Sequence, residues 1–351
     1  MPGQLRAYSY INAKLRARIG EMLADDDFRR LAQAASVDDA VTELDGLGFG
    51  DVAEAYRNTG DVRMCEQELY RREIETLLDI ERHLDGVRRH FVVLLGDRYE
   101  IENLKTALRL WFEGFVRGRH VEQKIAYLSR GTVHRDINLD AVVNAASARA
   151  IPEVLAGTPY QQPVADELER VQTRGSLFPL ERALDAAYVS RLLEGAAALS
   201  RPDGEAARSF IALDVDRENV SWVVRAVGYY RLSEQEAIAG VLPGGASVDT
   251  RSLTAAVRSG DPAGALLEHF GTASMSRGHD GGRQAQALEL IETALEEEMN
   301  HLVHRYLGSY PFTMGMVLAY TVLAHRQLRR ISTVLNGLAY GLDLHQVEGA
   351  L

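Results

Sequence analysis

The fold class is decided by stretches such as residues 177 to 199, which read LFPLERALDAAYVSRLLEGAAAL. Apolar side chains recur there every three or four residues, which is the spacing of one face of an amphipathic helix. They are Leu180, Leu184, Ala187, Tyr188 and Leu192. The same spacing continues over almost the whole chain, and segments with the period of two that marks a strand are missing. The sequence therefore predicts an all-α fold.

Glycine and proline clusters divide this pattern into about a dozen helices. They lie at Gly60, Gly114 to Gly118, Pro202 to Gly204, Pro243 to Gly245 and Gly278 to Gly282. Between them, long helices are predicted over residues 62 to 93, 178 to 199, 283 to 307 and 313 to 340. The glycine-rich segment 46 to 50 has no strand before it and lacks the spacing of a dinucleotide-binding loop, so it is predicted to be a turn.

One motif recurs along the chain. Residues 100 to 104 read EIENL and are followed by Arg109, and 116 residues later residues 216 to 220 read DRENV and are followed by Arg225. In the third position, HRQLRRI at residues 325 to 331 takes the place of the motif. The three helices that begin near these segments are predicted to be equivalent.

A second, weaker repeat has a similar offset. Two short helices ending at a glycine are predicted from Leu139 to Gly157 and again, 114 residues later, from Leu253 to Gly271, with a fainter copy from Leu31 to Gly46. Together the offsets predict three helical units, at residues 1 to 115, 116 to 230 and 231 to 351. Such copies either stack as a solenoid or close around an axis.

Composition limits the classes of partner and the cellular location that can be expected for this protein. The chain has 351 residues and a net charge of −11, and an acidic field repels nucleic acid and anionic lipid, which leaves protein partners. Its longest apolar runs are far shorter than the ~20 residues of a membrane helix, so a soluble protein without direct membrane insertion is predicted. A single cysteine, Cys65, excludes an intramolecular disulfide and fits a reducing cytoplasm.

Candidate chemistry is sparse. None of the three lysines follows a glycine, so the phosphate loop of nucleotide hydrolases is absent. The best metal candidate is Glu297, His301 and His304 on one helical face, but helical di-iron sites need two Glu-x-x-His elements and only Glu298 with His301 forms one. A solvated polar face is the favoured interpretation, and no cofactor is predicted.

Three other residues are candidates for a functional role. Trp111 and Trp222 lie on the helices that carry the repeat, where core packing is favoured over contact with a partner. Cys65 has no histidine beside it, so it is predicted to be a residue at a helix start, neither nucleophile nor ligand.

Three features carry a resemblance to a known family. They are YSYINAKLRAR at residues 8 to 18, the acidic-x-x-Asn-Leu/Val-x4-Arg helices at 100 to 109 and 216 to 225, and the ending from VLAY at 317 to 320 to GLAYGL at 337 to 342. In this order, and over nearly the whole chain, they resemble the C subunit of the central stalk of V/A-type ATPases, the family that includes the d subunit of the vacuolar enzyme.

The resemblance implies three similar helical domains arranged as a funnel with pseudo-threefold symmetry. It implies a non-catalytic socket that receives a shaft of two other rotor subunits on one face and sits on the ring of membrane rotor subunits with the other. The protein would then be cytoplasmic and held at the membrane only through its complex.

Eight residues match the signature helices of that family. They are Glu100, Glu102, Asn103, Arg109, Asp216, Glu218, Asn219 and Arg225. Internal clamps, with the two arginines buried and paired with carboxylates, are favoured over contacts with a partner. In the third unit Gln327, Arg330 and Asn336 take the places of the acidic residue, the asparagine and the arginine, which leaves a third clamp open.

Two other functions are possible on the sequence alone. One is a helical-repeat adaptor that binds peptides in a concave groove and forms an open superhelix. The other is a helical metalloenzyme that uses Glu297, His301 and His304.

Overall fold

The computed structural model describes residues 2–120, 132–270 and 280–342. Every regular element in these ranges is a helix, which confirms the all-α prediction. The α-helices are α1 (Pro2–Gly20), α2 (Asp25–Ala32), α3 (Val37–Gly46), α4 (Gly50–Thr59), α5 (Val62–Glu81), α6 (Gly86–Trp111), α7 (Leu139–Val143), α8 (Ala150–Val154), α9 (Gln161–Arg174), α10 (Phe178–Ala198), α11 (Arg201–Val224), α12 (Glu234–Ala239), α13 (Thr250–Ser259), α14 (Pro262–His269), α15 (Asp280–Gly308) and α16 (Met314–Ala339). None of these helices is both long enough and apolar enough to cross a lipid bilayer.

Six long helices form three pairs of chain neighbours, α5 with α6, α10 with α11, and α15 with α16. The connections are short and the partners pack on each other, so each pair is an antiparallel hairpin. In the second hairpin, Pro202 lies in the first turn of α11, where its missing N–H costs no helical hydrogen bond. Pro202 and Gly204 therefore lie at the beginning of a helix, and the break lies just before them.

The helix predicted over residues 62 to 93 is wrong in its length. The chain leaves α5 after Glu81 and starts α6 at Gly86, whose φ of +49° is in the left-handed region that favours glycine. The apolar spacing continues on both sides of this turn, so periodicity alone did not reveal it. As a result, the repeated motif lies in the middle of α6 and α11 and does not begin a helix.

The predicted break at Gly60 and the predicted turn at residues 46 to 50 are confirmed. Gly60 ends α4 in the left-handed conformation, with φ of +67°, and Gly48, with φ of +88°, makes the turn between α3 and α4. The paired short helices are present as α2 with α3, α7 with α8, and α13 with α14. Gly271 and Gly278 lie outside the described residues, and Gly281 and Gly282 belong to the first turn of α15.

Four hydrophobic clusters make up the core. The central cluster joins α1 to the second halves of α5, α10 and α15 and the first halves of α6, α11 and α16. Each of three outer clusters takes the second half of one long helix, a set of short helices, and the first half of the next long helix. These combinations are α6 with α7–α9 and α10, α11 with α12–α14 and α15, and α16 with α2–α4 and α5.

The outer clusters cross the unit boundaries expected at residues 115/116 and 230/231. The end of α6 shares one cluster with α7 to α9, and the end of α11 shares one with α12 to α14. The third outer cluster is closed by the two ends of the chain, since α16 packs there on α2 and α3. The division into three units stays a prediction. Its boundaries follow the repeat in the sequence, whereas the outer clusters pack across them.

Candidate functional site: a central cavity between three helix hairpins

The first residue of the repeated motif holds a loop. The Glu100 carboxylate on α6 is buried and accepts hydrogen bonds from the backbone N–H groups of His134, at 2.8 Å, and Arg135, at 2.7 Å. It also accepts from the guanidinium of Arg135 and the hydroxyl of Tyr160, both at 2.7 Å. A buried carboxylate thus fixes the segment that leads into α7, through charge-assisted bonds stronger than neutral ones.

Asp216 performs the same task on α11. Its buried carboxylate accepts from the backbone N–H groups of Ala246, Ser247 and Val248, at 3.1, 2.7 and 3.3 Å, just before α13. A Cβ at Gly245 would collide with Oδ1 of Asp216, so glycine is required where this loop approaches the carboxylate. The predicted break at 243 to 245 is therefore part of the clamp.

The third copy, which the sequence left open, is present in reduced form. Gln327 on α16 accepts a 2.8 Å hydrogen bond at its side-chain oxygen from the backbone N–H of Leu23, in the loop that leads into α2. Arg330, at the asparagine position, pairs with Asp25 at 2.9 Å and lies over the ring of Phe28. A neutral amide that accepts one backbone hydrogen bond here replaces a carboxylate that accepts two or three.

The asparagine of the motif is buried in both copies. Asn219 exchanges two hydrogen bonds with the backbone of Leu242, at 2.9 and 2.7 Å, and is 1% exposed. Asn103 is 9% exposed at the equivalent position of α6. A side-chain amide that pairs with both the N–H and the C=O of one residue pins the chain as a further hydrogen-bonded turn would.

The arginines correct one expectation. The sequence predicts that Arg109 and Arg225 are buried clamps, but both side chains are exposed. Arg109 pairs with Glu181 on α10 at 2.6 Å, with 52% of its side chain exposed, and Arg225 makes no ion pair within the described ranges. The reason is helical phase, since the buried stripe of α6 includes Asn103, and Arg109 falls outside it.

Glu102 and Glu218 are also exposed, and both face a cavity inside the molecule. A cavity of about 440 Å³ lies between the three hairpins, and both glutamates line it. Its floor includes Leu95, Ile211 and Val322, one from each of α6, α11 and α16, next to the central cluster. Its charged lining residues, apart from His325, are Glu73, Arg98, Glu102, Lys105, Asp185, Asp214, Arg217, Glu218, Glu296, Arg326, Arg329 and Arg330.

Two close contacts between polar side chains in the wall join neighbouring hairpins. His325 Nδ1 on α16 lies 2.6 Å from the Glu73 carboxylate on α5, and Lys105 on α6 lies 2.5 Å from Asp185 on α10. Burial is the largest single influence on Glu73 and opposes its ionisation, but the hydrogen bond and charge of His325, together with Tyr99 and Arg98, outweigh it and hold the pKa of Glu73 below its usual value. Burial is likewise the largest single influence on Lys105 and opposes its charge, but the charges and hydrogen bonds of Asp185 and Glu102 together outweigh it and raise the pKa of Lys105.

The cavity wall is what sequence reasoning missed. Its acidic residues Glu73, Asp185 and Glu296 recur at 112 and 111 residues on α5, α10 and α15, close to the period of the motif. That recurrence was a usable signal. It was not recognised because isolated acidic residues on helices are usually solvated.

The other candidate residues do not form a site. Glu297, His301 and His304 are exposed on α15, and no group of three or more metal-binding side chains is arranged to hold an ion in the described part of the chain. Trp111 and Trp222 are buried and donate to the carbonyls of Ala145 and Ala237, which confirms core packing.

Cys65 lies in the first turn of α5, fully buried, as expected of a helix-start residue. Burial raises the pKa of its thiol to about 11, so the reactive thiolate is scarce near neutral pH.

Comparison with known proteins identifies relatives of this chain. Residues 11–349 match the family model described as "ATP synthase (C/AC39) subunit". The C subunit of the A-type ATP synthase of Halorubrum lacusprofundi is 24% identical over 352 residues, covering 97% of this chain and 96% of the relative. The proteins of the same name from Thermococcus onnurineus and Pyrococcus furiosus are 21% and 20% identical, over 97% and 95% of this chain and 89% and 86% of theirs.

Proposed function

Because this chain belongs to the ATP synthase (C/AC39) subunit family, we propose that it is a non-catalytic subunit in the central stalk of a rotary V/A-type ATPase or ATP synthase. Its central cavity would be the socket for the tip of the shaft. The observation that supports this role is the position of the cavity, which lies between three helix hairpins that each hold an adjoining loop from the same position of the repeated motif.

A socket that transmits torque must be stiff, and the packing of the cavity wall supports this role. Its floor rests on the central cluster, and its helices are tied to the outer clusters by buried side chains such as Glu100 and Asp216. Closely packed interiors have low compressibility, so rotation of an inserted tip would turn the whole subunit rather than deform it. The three units at 1 to 115, 116 to 230 and 231 to 351 would give this socket its pseudo-threefold, funnel-like form.

We assign the opposite end of the molecule to the membrane rotor ring. Tyr10, Val87 and Tyr310 are 62%, 48% and 48% exposed. Val87 lies beside the turn between α5 and α6, and Tyr310 lies in the turn between α15 and α16, so both are at the hairpin turns, on the far side of the central cluster from the cavity floor. Exposed aromatic and apolar side chains suit a protein interface. The subunit would thus be cytoplasmic and peripheral to the membrane through the rotor ring.

Hydrolysis and pumping measured side by side test the coupling role. In membranes without this chain, the catalytic head should still hydrolyse ATP, while ATP-driven ion pumping should be lost and then restored by adding the purified chain. Restoration should weaken with salt if charged surfaces meet, since exposed charges are screened over about 8 to 10 Å. Undiminished pumping without the chain would refute the role and favour a peptide-binding adaptor.

A matched pair of variants tests the socket itself. Val322→Trp would fill the cavity floor and should abolish restoration of pumping. Ala255→Trp adds the same side chain at an exposed position of α13 and should restore pumping as well as the parent. Equal restoration by both variants would place the shaft elsewhere.

A further inference from the structure

Equivalent positions at the cavity carry unlike charges. Glu102 on α6, Glu218 on α11 and Arg329 on α16 each lie two residues beyond the side chain that holds the adjoining loop. All three are exposed and line the cavity. The same position therefore recurs on three helices of the cavity wall. Its charge is negative on α6, negative on α11 and positive on α16.

Two of these charges are available to a partner. Glu102 is engaged by Lys105 at 3.0 Å. Glu218 and Arg329 form neither a hydrogen bond nor a salt bridge within 4 Å in the described ranges. An exposed charge inside a cavity is less screened than one on an open surface, so it contributes more to the choice of partner.

The neighbours of Arg329 increase this asymmetry. Arg326 and Arg330 line the cavity from the same helix, and α16 contributes no acidic residue to the lining. These two are held by Glu296 at 2.7 Å and Asp25 at 2.9 Å, so Arg329 is the unengaged arginine of the three. On α11, Glu218 follows Arg217, which is paired with Asp214 at 3.4 Å.

We propose that these charges act as a key that selects one of three rotational registers for the shaft tip. The inference rests on the proposed function and adds the chemistry of the partner, a helical tip with an acidic side chain facing Arg329 and a basic side chain facing Glu218. Turning such a tip by one third would set its base against Arg329 or its acid against a glutamate. Complementary charges give specificity in this way even when each pair adds little affinity.

Binding to the isolated shaft subunits of the same ATPase, measured at low salt, tests the key. Arg329→Glu and Glu218→Arg should each weaken binding about five- to ten-fold, and the loss should shrink as salt rises. Arg251→Glu is the matched control, because it makes the same charge change at an exposed position of α13 that does not line the cavity. It should bind like the parent.

The double variant, Arg329→Glu with Glu218→Arg, distinguishes a key from simple attraction. It retains one positive and two negative charges at the three cavity positions but moves the positive charge from α16 to α11. A key predicts that the tip turns by one third, so that its acid faces the arginine introduced on α11 and its base faces Glu102. Affinity should then recover in part, because Lys105 already engages Glu102. Disulfide crosslinking from Thr333→Cys in the cavity wall to a cysteine on the tip reports the register, and the buried Cys65 does not compete.

The outcomes separate the two proposals. A parent chain that does not bind the shaft refutes the proposed function. If Arg329→Glu and Glu218→Arg bind the shaft as tightly as the control does, the key is refuted and the proposed function stands. The key is also refuted if the double variant loses as much binding free energy as the two single variants together and its crosslinks form at the parent position.

Discussion

The helices α11 and α16 hold neighbouring loops at the same place on their surfaces with different chemistry. On α11, the buried Asp216 carboxylate accepts from three backbone N–H groups. On α16, Gln327 accepts from one. The geometry of the clamp is retained in both, while the charge is not, so the loop position depends on where the acceptor lies more than on whether it is ionised.

The difference extends to the clusters that these helices close. The α11 cluster is built from one continuous run of chain, from α11 to α15, whereas the α16 cluster joins the two ends of the chain. Within the α16 cluster, α16 is held to the loop before α2 by a neutral amide, at Gln327, and to α5 by a histidine, at His325. We infer that the third outer cluster is the most weakly held, and the predictions below test this comparison.

Removing the carboxylate should give the largest effect. Asp216→Ala leaves three backbone N–H groups without their acceptor in a buried loop, and we expect the free energy of unfolding to fall by roughly 3 kcal/mol or more. Chemical denaturation measures this loss. Asp214→Ala, a half-exposed carboxylate on the same helix, is the control and should cost less than about 1 kcal/mol.

The same change at Gln327 should cost less. Gln327→Ala removes one neutral hydrogen bond to Leu23, which corresponds to about 1 kcal/mol. Gln327→Glu restores the acidic type found in the other two copies and should equal or exceed the parent in stability. A loss at Gln327 as large as that at Asp216 would contradict the comparison, because the two clamps would then be energetically alike.

Sequence reasoning reached the fold class and most breaks, while the equivalence of the three units stays a prediction. It could do so because helical periodicity and glycine turns are local signals. It missed the turn at Gly86, where apolar spacing continues on both sides, and the cavity, which is formed by residues from six helices. The phase of Arg109 was also missed, since which stripe of a long helix is buried depends on its tertiary neighbours.

The seam between α16 and α5 should respond to acid. The pKa of Glu73 is held below its usual value, so the ionised carboxylate stabilises the folded state at neutral pH, and this contribution is lost as pH falls through the folded pKa. We expect the parent to lose about 1 kcal/mol more than Glu73→Gln between pH 6 and pH 3. Thermal unfolding across this range measures it, and parallel curves for parent and variant would show that the seam is not linked to Glu73.

The smallest effects are expected at the exposed arginines, and here the comparison is between two copies of one motif. Arg109 bridges α6 and α10 through Glu181, whereas Arg225 makes no ion pair within the described ranges. An exposed pair is worth about 0.2 to 1 kcal/mol, so Arg109→Ala should lower the free energy of unfolding by that amount and Arg225→Ala by less. Glu181→Ala should match Arg109→Ala, and the double variant should cost no more than either, because all three remove one interaction. If Arg109→Ala instead cost several kcal/mol, the guanidinium would be buried in solution. If neither variant changed stability but both weakened binding of the shaft, these arginines would contact the partner. Each signature helix would then hold its loop with its buried side and face the shaft with its exposed side.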